Sequence, residues 1–193
     1  MLILASASPR RRELLDQIGV AWRAHPGDVE EIPRAGESPE DFALRMAVTK
    51  ARAAHDAVPG HLPVLGADTV VSIDGDILGK PRDREDALDM LGRLSGRTHT
   101  VLSAVALLHQ GGCHQALSTT RVCFRDLSPD DRRAYWASGE PADKAGAYGI
   151  QGLGALFVAH IEGSYSGVVG LPLFETGELL RRCGLISGID NQT

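Results

Sequence analysis

PVLGADTVVSIDGDIL, residues 63–78, is the stretch on which the interpretation of the fold depends. Residues 63–73 are almost all apolar, which predicts a buried β-strand. The Asp74-Gly75 pair that follows is typical of a tight turn and leads back into Ile77 and Leu78. The sequence therefore predicts a hairpin built on a long buried strand, with one carboxylate, Asp68, inside the apolar run.

Outward from this hairpin, apolar runs alternate with helical patterns. Ser-Pro pairs begin three of the predicted helices, because serine caps a helix and proline fits its first turn. Further strands are predicted over about 2–5, 100–108, 116–124 and 155–161, with a loop containing Gly111 and Gly112 between the middle two, and helices over about 8–19, 38–57, 83–96, 128–139 and 174–183. Hairpins interrupt the alternation, which favours an α/β fold with a mixed, twisted sheet flanked by helices.

Composition sets limits on the class of protein. The chain has 193 residues, 43% of them hydrophobic and 23% charged, which predicts a single globular domain over 1–193 with a short frayed tail from about residue 185. A net charge of −5 argues against bulk attraction to nucleic acid or to an anionic membrane. The three cysteines form no C-x-x-C pair, and we find neither a signal peptide nor a membrane span, so we expect a soluble, cytoplasmic protein with reduced thiols.

Asp68 is the first candidate for chemistry. A carboxylate within an apolar run is costly unless it is paired, hydrogen-bonded or bound to a metal. One interpretation is a structural aspartate that caps a bulge or a turn. The other is a general base or a ligand of a divalent metal.

The segment SASPRRR, residues 6–12, indicates an anion site. It connects a predicted strand to the N-terminus of a predicted helix, where free backbone N–H groups and the helix dipole attract negative charge. Arg11 shares a helical stripe with Leu14, Leu15 and Ile18, so its guanidinium lies at the rim of the core, placed to hold a phosphate. The alternative is a solvated arginine cluster that pairs with acidic neighbours.

Two lysines are candidates for the same site. Lys80, in GKPRD, follows the hairpin and could meet Asp68 across it to neutralise developing charge; the alternative is an exposed loop lysine. Lys50 lies on the apolar side of the second predicted helix, so it either extends to the edge or reaches into a site.

The segment DKAGAYGIQG, residues 143–152, and an acidic pair complete the candidates. The repeated glycines of residues 143–152 suggest a backbone that packs closely against another group. In it, Lys144 could hold phosphate and Gln151 could read a base edge, or the segment is a tight structural loop. Glu30 and Glu31 form an acidic pair that is either solvated or supplies a metal carboxylate. The sequence has neither a P-loop nor a G-x-S-x-G motif.

Taken in order, SASPRR, GADT, GKPRD, LSGR, DKAGAYGIQG and VVGLP closely resemble the Maf family of nucleoside triphosphate pyrophosphatases over most of the chain. The resemblance implies an elongated, two-lobed fold like that of inosine triphosphate pyrophosphatases, with a central cleft. It also implies dependence on a divalent cation, Mg²⁺ or Mn²⁺, and a homodimer. It assigns catalysis to Asp68, an acidic or metal-binding role to Glu31 with Asp68, and binding of substrate phosphates to Arg10, Arg11, Lys50 and Lys80.

The resemblance also predicts a branch of the family. One branch acts on dTTP, UTP and related modified pyrimidines in a house-cleaning role, and another prefers 7-methyl-GTP. Here Arg10 after Ser-Pro, Thr69 after Asp68, and Gln151 in the late glycine-rich segment match the dTTP/UTP branch. Ser8, Thr69, Lys144 and Gln151 are accordingly expected to contact substrate.

Two other classes of function are alternatives. The first is a nucleotide-binding regulator of septum formation, which would need the basic pocket without turnover. The second is a nucleic-acid binder, which the net charge of −5 and the 5% aromatic content argue against.

Overall fold

The computed structural model describes residues 1–58 and 62–187. A sheet of seven strands forms its centre. The strands are β1 (Leu2–Leu4), β2 (Trp22–Ala24), β3 (Val64–Ile73), β4 (Asp76–Leu78), β5 (Thr98–His109), β6 (Gly112–Phe124) and β7 (Val158–Glu162). The helices are α1 (Pro9–Gln17), α2 (Pro39–Ala57), α3 (Arg84–Leu94), α4 (Pro129–Ala137), α5 (Tyr165–Val169) and α6 (Leu173–Arg182).

The sheet is mixed. Its strands lie in the order β2, β1, β3, β5, β6, β7, and β4 pairs with β3 to complete the predicted hairpin. Strand β1 runs parallel to both β2 and β3, whereas the remaining pairs are antiparallel. The predicted fold class, a mixed α/β sheet flanked by helices, is confirmed.

The helices cover both faces of β3. On one face, apolar side chains of α2 pack against Val64 and Val70. On the other, α1 and α6 contribute to a cluster that contains Leu65 and Ala67. Because successive side chains of a strand point to opposite faces, the neighbours Asp68 and Thr69 are directed to opposite sides of the sheet. This alternation positions the site described below.

Some local features differ from the sequence predictions. The predicted strand 155–161 is wrong in its first half, because Gly152–Phe157 forms a 3-10 helix and β7 begins only at Val158. Strand β5 ends at His109 and β6 begins at Gly112, so only Gln110 and Gly111 lie between them. These two residues have positive φ angles and form a tight turn in place of the longer predicted loop. Two further 3-10 helices, Glu140–Asp143 and Ala145–Ala147, together with the short β2 and α5, were not predicted.

No helix among residues 1–58 and 62–187 is long and apolar enough to cross a membrane. The predicted frayed tail from about residue 185 lies largely outside the described residues, since the description ends at residue 187.

Candidate active site

A cleft of about 730 Å³ opens beside the middle of β3. Its walls come from the start of α1, from α2, from the loop before α2, and from the segment between α4 and β7. Ten of the residues singled out from the sequence line this one cleft: Ser8, Arg10, Arg11, Glu31, Lys50, Asp68, Thr69, Lys80, Lys144 and Gln151. Glu30, the other member of the acidic pair, is not among the residues that line it.

Asp68 and Lys50 form the centre of the cleft. The Lys50 ammonium donates to Asp68 Oδ1 at 2.6 Å and lies 2.7 Å from Glu31 Oε1. The Asp68 side chain is only 6% exposed and that of Lys50 13%. Lys50 therefore reaches into the site and does not extend to the helix edge. The pairing of β3 with β5 runs in unbroken register past Asp68, so this carboxylate does not cap a bulge.

Close packing of α2 on β3 brings Lys50 to Asp68. Gly66 lies on β3 two residues before Asp68, on the same face. A Cβ atom on Gly66 would lie 2.1 Å from the carbonyl oxygen of Ala47 and 2.7 Å from the amide nitrogen of Ala51. Only glycine permits this approach, which sets the height of α2 above the carboxylate.

Glu31 lies in the loop before α2 and has a shifted pKa. Burial acts to raise the pKa of this carboxyl group, but the hydrogen bond and charge of Lys50 outweigh it, with help from Lys80 and Arg11. The net effect lowers the pKa below its ordinary value, so Glu31 stays ionised. Lys80 itself is exposed on the cleft wall.

Arg11 links three parts of the chain. Its Nε donates to the carbonyl oxygen of Gly170 at 2.8 Å, and its two terminal nitrogens donate to Ser6 Oγ at 3.1 Å and Thr69 Oγ1 at 3.3 Å. All three acceptors are uncharged, so they orient the guanidinium without neutralising it. Burial lowers the pKa of Arg11, while the charges of Asp68 and Glu31 oppose that effect.

The hydroxyls of Ser8 and Thr69 differ in their hydrogen bonding. Ser8 occupies the N-cap position of α1, as predicted, but its side chain makes no capping hydrogen bond, and its backbone N–H donates to Ser6 Oγ at 3.2 Å. The Thr69 hydroxyl, in contrast, contacts Arg11 as well as Ser103 Oγ at 3.1 Å and the carbonyl oxygen of Gly170 at 3.3 Å. Thr69 thus holds Arg11 in place.

The opposite wall carries Lys144, Gln151 and an acidic residue that the sequence analysis did not single out, Asp143. Lys144 Nζ donates to Asp143 Oδ1 at 2.7 Å and to the carbonyl oxygen of Glu140 at 2.6 Å. Asp143 also lies 3.7 Å from Arg10 Nη1 and so spans the cleft. Gln151 is exposed at the cleft surface.

The cleft balances cations against carboxylates. Five basic residues line it: Arg10, Arg11, Lys50, Lys80 and Lys144. Five acidic residues also line it: Glu13, Glu31, Asp68, Glu140 and Asp143. Lys50 and Lys144 are paired with carboxylates, so a bound polyphosphate would have to compete with Asp68, Glu31 and Asp143 for these two lysines, unless it arrived with a cation of its own.

Asp68 and Glu31 fit a divalent cation. Both present carboxylate oxygen to the same Lys50 ammonium, and oxygen donors are those that Mg²⁺ and Mn²⁺ prefer. Among residues 1–58 and 62–187, no group of three or more histidine, cysteine, aspartate or glutamate side chains forms a metal cage. Two carboxylates completed by substrate phosphates and water are the arrangement typical of Mg²⁺.

Sequence reasoning missed Tyr135 and Glu140. Tyr135 is buried in α4, and its hydroxyl donates to Glu140 Oε1 at 2.7 Å. Glu140 stands just before the DKAGAYGIQG segment and lines the cleft. Its other partners are backbone N–H groups, which leave no side-chain pattern in a sequence.

The chain is similar to one protein family and to several known proteins. The model of the Maf-like protein family matches residues 1–183. A dTTP/UTP pyrophosphatase of Methylococcus capsulatus is 59% identical over 185 residues, covering 95% of this chain and 91% of the relative. Another, from Methylobacillus flagellatus, is 54% identical and covers 95% and 93%. Among solved structures, a dITP/XTP pyrophosphatase from Mycobacterium abscessus aligns with a TM-score of 0.39 and 18% identity, over 72% of this chain and 92% of that one.

Proposed function

This chain belongs to the Maf family, and we propose that it hydrolyses dTTP and UTP to the nucleoside monophosphate and pyrophosphate. Relatives named dTTP/UTP pyrophosphatase, at 48% to 59% identity and over nearly the whole chain, support the reaction and the pyrimidine substrates. The proposal includes a house-cleaning role in the cytoplasm, in which modified pyrimidine nucleotides are removed.

One observation carries the proposal: a buried carboxylate, Asp68, lies among arginine and lysine side chains in a single cleft. In the proposed reaction, Asp68 accepts a proton from a water molecule as the water oxygen bonds to the α-phosphorus. The bond from that phosphorus to the bridging oxygen breaks, and pyrophosphate leaves with the bonding electrons. Because Lys50 holds Oδ1, we assign the proton to Oδ2.

The basic residues stabilise the charge that develops on the leaving group. We assign the pyrophosphate to Arg10, Arg11, Lys50 and Lys80, because these cations line the same cleft as Asp68 and positive charge placed in advance stabilises negative charge that develops in the transition state. Arg11 is fixed in advance by its three uncharged acceptors, so little orientation is lost on binding.

A divalent cation, Mg²⁺ or Mn²⁺, is part of the proposal. Asp68 and Glu31 would hold it, and it would supply positive charge to offset the phosphates. The balance of charges in the cleft supports this assignment, since the lining residues alone provide no excess of cations.

Recognition of the base is assigned to the late glycine-rich segment. Gln151 is exposed in the cleft, and its amide can both donate to and accept from a pyrimidine edge. Lys144, on the same wall, is assigned to phosphate. Thr69 would act indirectly, because its hydroxyl already contacts Arg11 and Ser103.

Pyrophosphate release from a panel of nucleotides tests the proposal. With Mg²⁺ or Mn²⁺, we expect release from dTTP and UTP and none from 7-methyl-GTP, with CTP and ITP included for comparison. Asp68→Asn should lower kcat by about 10²- to 10⁴-fold, the range for loss of a general base, with a smaller change in KM. Asp76→Asn, an exposed residue paired with Arg93, is the matched control. Binding of nucleotides by the natural chain without any release would overturn the proposal.

A further inference from the structure

The Glu140 carboxylate binds the backbone of a later segment of the chain, residues 149–154. It accepts hydrogen bonds from the backbone N–H groups of Leu153 at 2.9 Å and Gly154 at 3.1 Å. The Tyr135 hydroxyl donates to it at 2.7 Å. Both carboxylate oxygens are therefore engaged, although Glu140 lines the cleft. Its contacts connect the end of α4 to the segment 149–154.

Tyr135 adds a third attachment point. Its hydroxyl accepts from the N–H of Gly149 at 3.1 Å while donating to Glu140. Its ring is buried and stands edge-on to Phe157, with centroids 4.8 Å apart. The hydroxyl is thus fixed by the core. Together, Tyr135 and Glu140 hold the segment 149–154 at its beginning and near its end.

The glycines of this segment permit the contact. A Cβ on Gly152 would lie 2.6 Å from Glu140 Oε2, and Gly152 has a φ of +75°, which favours glycine. A Cβ on Gly154 would lie 2.2 Å from the Gly149 carbonyl oxygen and 2.6 Å from the Tyr135 hydroxyl. The backbone therefore wraps closely around the Tyr135–Glu140 pair.

The charge on Glu140 is maintained by the same contacts. Burial acts to raise the pKa of this carboxyl group, but the hydrogen bonds from Tyr135, Leu153 and Gly154, together with the charge of Lys144, lower it overall. An ionised carboxylate binds backbone N–H groups more strongly than a neutral one. The loop is accordingly held by charge-assisted hydrogen bonds.

Gln151 lies between the attachment points, at the cleft surface. We propose that Tyr135 and Glu140 are positioning residues which fix the segment 149–154 so that Gln151 meets the pyrimidine base, and that they set base selectivity without contacting the nucleotide. This inference rests on the proposed function. Hydrogen-bonding sites discriminate strongly only when their donors and acceptors are held in place.

Selectivity in two variants tests the inference. Tyr135→Phe removes the hydroxyl and keeps the ring, and Glu140→Gln keeps the shape but presents an N–H₂ group to the loop. For each variant, the ratio of kcat/KM for UTP to that for ITP should fall about 10-fold, mostly through KM for UTP, because a misplaced polar group loses discrimination. Matched controls are Tyr165→Phe and Glu162→Gln, both at exposed positions.

A double variant separates positioning from general damage. If Tyr135 acts through Gln151, Tyr135→Phe combined with Gln151→Ala should be no less selective than Gln151→Ala alone. Additive losses, equal losses for every nucleotide, or unchanged selectivity in both single variants would overturn the inference. A natural chain that releases no pyrophosphate at all would instead overturn the proposed function and the inference with it. Thermal melting of each variant, compared with the natural chain, measures any general loss of stability separately from selectivity.

Discussion

At the scale of single residues, Lys50 has the most constrained position in the cleft. Its ammonium lies within 2.7 Å of carboxylate oxygens from both Asp68 and Glu31. Without it, two negative charges would face each other in a partly buried space, which is unfavourable. Lys50 therefore neutralises the same pair of carboxylates that we assign to a divalent cation. The lysine and the cation compete for one set of oxygens.

Removal of this lysine should strengthen metal binding. In Lys50→Met, we expect the affinity for Mn²⁺ without nucleotide to rise about 10-fold, because a competing positive charge a few ångströms away is lost. Turnover should fall, since the phosphates lose a contact. Titration calorimetry with Mn²⁺ measures the affinity directly.

Lys144→Met provides the comparison for this experiment. It removes the same charge from the same cleft, but Lys144 contacts Asp143 and a carbonyl oxygen, and neither Asp68 nor Glu31 is among its hydrogen-bond partners in the described part of the chain. Equal gains in Mn²⁺ affinity in both variants would mean that only the overall charge of the cleft matters. An unchanged affinity in Lys50→Met would place the metal elsewhere.

Individual site residues were predictable where their setting was unusual. Asp68 within an apolar run and Lys50 on an apolar helix face both need a partner, and each turned out to be the other's partner. Glu140 and Tyr135 were not predictable. Their partners are backbone N–H groups of residues 149–154, and any amino acid supplies an N–H group. The catalytic and binding roles of the ten predicted residues stay predictions.

At the scale of elements, the contact of α2 with β3 determines the centre of the site. The carbonyl oxygen of Ala47 and the amide nitrogen of Ala51 approach Gly66 so closely that a side chain cannot fit between them. Lys50 lies on the same helix, within one turn of both alanines. The distance from Lys50 to Asp68 therefore depends on a glycine in the strand.

Gly66→Ala should damage both stability and activity. The added methyl group would lie 2.1 Å from backbone, so α2 must move, and we expect a loss of about 2 kcal/mol in the free energy of unfolding. The displacement would also separate Lys50 from Asp68 and lower kcat. Urea denaturation and steady-state kinetics measure the two effects.

Gly177→Ala is the control for this substitution. Gly177 lies inside α6, and a Cβ there would meet no atom within 4 Å. Alanine favours helix over glycine by roughly 1 kcal/mol, so this variant should be as stable as the natural chain or more so, with unchanged kinetics. If Gly66→Ala also left stability and kinetics unchanged, the close approach of α2 to Gly66 would not determine the distance from Lys50 to Asp68.

Elements with strong local signals were predictable, and elements defined by tertiary contacts were not. Helices α2 and α4 have serine caps and proline at their first positions, and their bounds follow the prediction closely. Strand β2 has only three residues, none of them buried, and exists because it pairs with β1. The 3-10 helix Gly152–Phe157 replaces the first half of a predicted strand, and Glu140 accepts hydrogen bonds from the N–H groups of Leu153 and Gly154 in its first turn.

At the scale of the whole molecule, one buried histidine connects the core to the cleft. His99 is 2% exposed and stands edge-on to Phe124, with ring centroids 4.9 Å apart. Its Nε2 lies 2.8 Å from the hydroxyl of Tyr148, a residue that lines the cleft. Its Nδ1 is buried and finds no hydrogen-bond partner among the described residues. A protonated ring would therefore bring an uncompensated N–H and a positive charge into the core.

This arrangement predicts sensitivity of the fold to acid. Burial lowers the pKa of His99 from its ordinary value near 6.5 to about 4. Well above pH 6.5 the ring is neutral in both the folded and the unfolded chain and has no effect on the pH dependence. As the pH falls from 6.5 towards 4, the unfolded chain binds a proton that the folded chain does not, so stability is lost. The loss between pH 7.5 and 5.0 should be about 2 kcal/mol from this residue alone.

Urea denaturation of His99→Phe at the two pH values isolates this contribution. Phenylalanine preserves an aromatic ring beside Phe124 but cannot be protonated, so the decrease in unfolding free energy on acidification should be smaller by about 2 kcal/mol than in the natural chain. The slope compared here is the change in unfolding free energy between the two pH values. It does not depend on any stability that the variant loses at neutral pH from the missing contact with Tyr148. His160→Phe, at an exposed position on β7, is the matched control for the loss of a histidine. Equal slopes in His99→Phe and the natural chain would show that His99 does not contribute to the loss of stability in acid.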